Sequence, residues 1–125
     1  MDNADAVKLS LRNAQWRKVG ELTVEGEAGI VTLFIRRPPP KVIFSLFEEC
    51  RKEGLLTDKN EPTSELAGLD FSARLCAPML FLPGGLRPLL TSKEFEDMPW
   101  FLEAVEACQT LVLGAKEVEA ARGNS

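Results

Sequence analysis

The segment LFIRRPPPKVIFSLFEEC, residues 33–50, changes its hydrophobic period across three successive prolines. Before them apolar residues fall in the two-residue rhythm of a strand; after them Val42, Ile43, Leu46, Phe47 and Cys50 recur at helical steps. Proline has no N–H for a strand ladder but is tolerated in the first turn of a helix, where that donor is unpaired anyway. Two elements of different kind must therefore meet at Pro38, Pro39 and Pro40. A proline triplet can also be a ligand for a polyproline-binding domain. Here RRPPPK lacks the second proline of a PxxP core beyond the triplet, and it is flanked by sequence patterned to fold. A stiff corner is the expected role.

Upstream, Leu22 and Val24 alternate with Thr23 and Glu25, GEAG interrupts, and Val31, Leu33 and Ile35 alternate with Thr32 and Phe34, which predicts a β-hairpin over residues 20–36. The second strand is apolar on both faces, so it is expected to be the more central one. Trp16 and Val19 extend the first strand backward, while VKLSLRN reads equally as a short third strand or as a mobile segment. Downstream of the prolines the helix is expected to stop at Gly54. ELAGLDFSARLCAPMLFL then predicts a second helix with Leu66, Leu69, Ala73 and Cys76 inward, widened by Phe71 and Leu75, which Pro78 kinks or finishes. Thr91 with Glu94 three residues on is the pattern of a reciprocal capping box, and Pro99 marks the start of the last and longest helix.

That last helix carries a narrow seam. Phe101, Ala104, Cys108, Leu111, Ala115 and Val118 follow spacings of three and four, with Trp100, Val105 and Val112 beside them. Such a seam serves either to pack inside a small domain or to face another subunit, and one flank can do each. Trp100, Ala104, Val105, Cys108, Val112 and Ala115 are accordingly the candidate interaction surface.

Composition narrows the function classes. The chain has 125 residues, enough for one domain, and a net charge of −4, which gives no basic surface for nucleic acid. No apolar window reaches the ~20 residues of a membrane span, and the acidic, polar start MDNADAVKLS is unlike a secretory signal, so a cytoplasmic protein is expected. There is no histidine and no tyrosine, which removes the commonest general base and metal ligand. Cys50, Cys76 and Cys108 are too widely spaced for a zinc knuckle and odd in number for a disulfide framework; they are expected to be buried small apolar residues. Glu48/Glu49 and Glu94/Glu96/Asp97 lie in helix-like stretches beside basic residues and read as solvated faces, and PGGLRP, without a phosphate-binding loop's lysine and hydroxyl, reads as a turn. No enzyme activity, cofactor or metal is expected.

The fold class expected for residues 1–125 is a single α+β domain. It has an N-terminal antiparallel hairpin or small sheet, then three to four helices over 41–121, the last longest, with residues 1–15 as a mobile segment.

The order of these parts resembles the tail assembly chaperones of long-tailed bacteriophages. The residues that carry the resemblance are the strand-end Arg36, the capped helix Leu90-Thr91-x-x-Glu94-Phe95, and the terminal Asn124-Ser125. It covers most of residues 20–125. The resemblance implies a non-enzymatic, self-associating assembly factor in the host cytoplasm, with the tape-measure protein as client and the tail tube protein polymerising around it. Members are also made in a frameshifted longer form, and a chain ending at ARGNS fits the short one. The alternatives are a secretion-type chaperone, dimeric through its long helix and holding an effector segment, or a small virion connector protein.

Overall fold

The structure is a computed structural model and describes residues 3–113. It is mixed α and β, with one three-stranded antiparallel sheet and five α-helices. In chain order these are α1 (Asn3–Asn13), β1 (Lys18–Gly26), β2 (Gly29–Arg36), α2 (Pro40–Lys52), α3 (Glu65–Cys76), a 3₁₀ turn (Ala77–Met79), β3 (Leu80–Phe81), α4 (Ser92–Glu96) and α5 (Phe101–Leu113).

The strand order is β1-β2-β3, so the strand that is apolar on both faces is the central one. Leu22 pairs with Leu33, Val24 with Val31 and Gly20 with Ile35, which puts these six on the core side. Glu25, Thr23 and Glu21 share the outer side with Ile30, Thr32 and Phe34. The hairpin closes at the pair Gly26 and Gly29 around Glu27 and Ala28. Gly29 takes φ 135, a conformation that costs a residue without a Cβ little, which spares the two loop residues any positive φ.

At the proline corner Pro38 is buried, Pro39 takes φ −59 and ψ 149, and Pro40 opens α2. The triplet ends the strand and starts the helix with no side-chain cap. The Thr91–Glu94 capping box is complete: Thr91 Oγ1 accepts from the Glu94 N–H at 3.2 Å and Glu94 Oε1 accepts from the Thr91 N–H at 3.0 Å. It fixes a five-residue α4 whose Phe95 is fully buried.

Three sequence expectations are corrected. VKLSLRN is not a third strand but belongs to the helix α1, Asn3–Asn13, which buries none of its residues. The second helix ends at Cys76, and Leu80–Phe81 pairs with β2 as Phe81 with Phe34 and Leu80 with Ile35. Pro78 cannot continue the helix, and the apolar residues after it find their backbone partners on the central strand instead. Leu66 and Leu69 do not face inward; Leu66 is 79% exposed, and α3 buries Ala67, Ala73, Leu75 and Cys76. In its first two turns only Ala67 is buried, and most of the enclosed residues lie in its C-terminal half. The described part of α5 has 13 residues, as α2 has, and the expectation of a longest last helix runs on to residue 121, outside the described residues. Val118 lies outside the described residues.

The core joins Ile35 and Leu80 of the sheet to Ala73, Cys76, Met79, Phe95, Phe101, Ala104, Val105 and Cys108. Among the described residues no polar or charged side chain is buried. α3 packs on α2, α4 and α5, and α5 packs on β1.

Candidate functional site

The corner between strand and helix also builds an open apolar hollow on the surface. Arg36 and Arg37, at the end of β2, turn their side chains back onto the fold: Arg36 Nη1 donates to the Trp16 carbonyl at 2.8 Å and Arg37 Nη2 to the Leu111 carbonyl at 2.7 Å. The Arg36 guanidinium also stands 5.3 Å from the centre of the Phe81 ring, while its Nε is buried with no hydrogen-bond partner. These contacts hold Trp16 beside the prolines. Trp16, Pro38, Val42, Ile43, Leu46, Leu75 and Pro78 then line an open groove of about 410 Å³, with Lys41, Glu49 and Arg74 at its rim. Val42 and Phe44 of α2 stay exposed on opposite sides of the helix face that touches the body through Ile43, Leu46, Phe47 and Cys50, and of the two Val42 lines the groove.

Arg74 fixes the far wall. It donates from Nε to Asp70 at 2.9 Å, one helical turn back, and from Nη1 and Nη2 to the two oxygens of Glu53 at 2.5 and 3.2 Å, with Glu49 at 3.8 Å. This fork ties α2 to α3. It holds the Glu53 carboxyl below its ordinary range, through the hydrogen bond first, and pushes the Arg74 pKa further up. Arg74 also borders two further hollows: one of about 370 Å³ with Leu66, Leu69 and Phe101, and one of about 430 Å³ with Leu46, Pro88 and Leu90. With three carboxylates around it, Arg74 is satisfied within the chain and offers little to an incoming anion.

Of the six residues of the candidate surface on the last helix, three are buried within the chain. Ala104 and Cys108 are 0% exposed and Val105 is buried, all three in the core against α3 and the sheet. Trp100 is partly buried, its ring 5.8 Å from that of Phe95. A seam of small residues brings α5 close to its own neighbours and leaves outward Leu102, Glu103 and Glu106. Val112 belongs to α5, but its side chain, like the whole of Ala115, lies outside the described residues.

The three cysteines are free and buried. Burial pushes the Cys50 thiol up, and the hydrogen bond between Cys76 and Cys108, with burial second, pushes Cys76 well up, so neither is a ready nucleophile. Of the carboxylates singled out in sequence, Glu94 caps α4, which keeps its pKa down through the Thr91 backbone hydrogen bond, and Glu49 faces Arg74. Among the described residues no group of three or more histidine, cysteine, aspartate or glutamate side chains is placed to hold a metal ion, and no helix is long and apolar enough to cross a membrane.

Sequence reading missed the groove. The Asp70–Arg74 pair had a visible signal in its four-residue spacing, but Glu53 lies 21 positions from Arg74, and Trp16 reaches Pro38 only through the sheet. Compared with known proteins, the chain matches no family model, no curated protein and no solved structure.

Proposed function

We propose that the chain is a non-enzymatic assembly chaperone that receives an apolar helical segment of a client in the groove between α2 and α3. By the resemblance, the client is the tape-measure protein of a long-tailed bacteriophage, kept from aggregating while tail tube subunits polymerise around it. The observation that carries this reading is the open groove itself. Its floor is apolar, its corner is stiffened by Pro38 and Pro39, and the exposed Val42 continues it onto α2. A rigid floor with a charged rim suits an amphipathic helix, which presents anchors at three- and four-residue steps. The net charge of −4 opposes coalescence of loaded complexes.

The experiment is a fluorescence titration of the chain with synthetic helical segments of the tape-measure protein. Binding by the parent and a loss of at least tenfold in Val42→Asp, with unchanged circular dichroism, supports the reading, because an unpaired carboxylate at an apolar contact is costly to desolvate. Equal binding by both proteins overturns the groove as the site. Binding only of extended, non-helical peptides favours the secretion-type alternative.

A further inference from the structure

Among the described residues β1 is an edge strand of nine residues, whereas the opposite edge, β3, has only two. A long edge offers a row of backbone donors and acceptors as a template for another strand. We propose that β1 pairs antiparallel with β1 of a second copy, making a continuous six-stranded sheet about a two-fold axis at Leu22. This rests on the edge and its charges and is independent of the client reading.

Charge selects the partner and the register. A two-fold perpendicular to the sheet keeps core and outer faces aligned, so the axis must pass through a residue, and a slip of one position moves it to the next. The outer side of β1 carries Glu21, Thr23 and Glu25. Lys18 joins them, because the irregularity between Lys18 and Gly20 brings its Nζ to 3.9 Å from the centre of the Phe34 ring on that side. An axis at Glu21 sets two Glu21 carboxylates opposite each other, and an axis at Thr23 sets Glu21 opposite Glu25 twice. With the axis at Leu22, Glu21 lies opposite Thr23 of the second copy, and Glu25 comes beside its Lys18. Like charges directly opposite destabilise a strand pair, so of these three registers only the one centred on Leu22 is free of them. On the core side it sets the half-buried Leu22 against its own copy and Val24 against Gly20. The edge thus has a sequence complementary to itself.

The full chain is tested by size-exclusion chromatography with light scattering across a concentration series, beside circular dichroism, and by cysteine cross-linking under oxidised glutathione. The three native thiols are buried and do not compete. The expected results are a concentration-dependent dimer, and a disulfide-linked dimer on a non-reducing gel from the double variant Glu21→Cys/Thr23→Cys. Neither single variant should link, since residues 21 and 23 face each other only across the axis. Glu25→Lys should weaken self-association by about tenfold, as two ion pairs turn repulsive, and Lys18→Glu/Glu25→Lys should regain it. A folded protein that stays monomeric at all concentrations overturns the proposal. So does a dimer in which the double variant fails to link, or in which Glu21→Cys alone links.

Discussion

Leu111, near the end of the described part of α5, covers Gly20 of β1 so closely that a Cβ on residue 20 would stand 2.5 Å from Leu111 Cδ1. The missing side chain in the strand is the seat of the leucine. Gly20→Ala makes the tip of the half-buried Leu111 turn aside and should cost at most about 1 kcal/mol net, since alanine restricts the unfolded chain and alone favours folding by about 0.4–1 kcal/mol. In the double variant Gly20→Ala/Leu111→Ala the two losses should fall short of additive by at least about 0.5 kcal/mol, because the clash is gone. Urea denaturation of the four proteins measures this, and strict additivity would mean that the two residues do not meet.

The fork from Arg74 to Glu53 sets an acid-side dependence. The Glu53 pKa is lowered in the folded chain from its ordinary 4.5. Its contribution is thus fully present above that value and is lost as the pH falls through the lower, folded one. Arg74→Met should flatten the fall in stability below about pH 4.5 and leave a small change at pH 7, since the pair is exposed. Melting curves from pH 3 to pH 7 show this. An unchanged acid slope in the variant would remove the fork from the account.

On α5, Leu102 and Ala104 are two positions apart and have opposite surroundings: Leu102 is 72% exposed and Ala104 is fully buried. Leu102→Glu should keep the melting temperature within a few degrees of the parent. Ala104→Glu should unfold the domain, because a carboxylate enters an apolar contact with no partner. Circular dichroism on the pair checks it, and a folded Ala104→Glu protein would reopen α5 as an outer surface.

Pro39 already has the φ that proline imposes, and its amide needs no partner at the N-cap of α2. Pro39→Ala should cost only about 0.4–1 kcal/mol, through the greater freedom of the unfolded chain, with client binding intact. Loss of binding at an unchanged melting curve would instead make the triplet a ligand.

The hairpin, the corner and the capping box were legible because each is written in a few neighbouring residues: alternation around GEAG, a proline triplet, a threonine three before a glutamate. α1 was not, since NADAVKLSLRN has apolar residues at both odd and helical spacings and no core contact to decide between them. β3 was hidden because its two residues continue an apolar run whose periodicity still reads as helix, and only the proline before them marks the change. On α5 the pattern identified an apolar seam correctly, yet periodicity says which residues share a face and nothing of what covers that face. The groove was beyond reach for the same reason: its walls come from segments some 60 positions apart, Trp16 to Pro78.

All three thiols are withdrawn from solvent, and Cys76 and Cys108 meet where α3 lies on α5. The folded chain is therefore silent to a thiol reagent, and each labelling event records an opening of the interior. Where reclosing is fast, the labelling rate reports the equilibrium fraction opened, so the molecule carries its own clock for local unfolding, with Cys50 timing the parting of α2 and the other two timing the parting of α3 from α5.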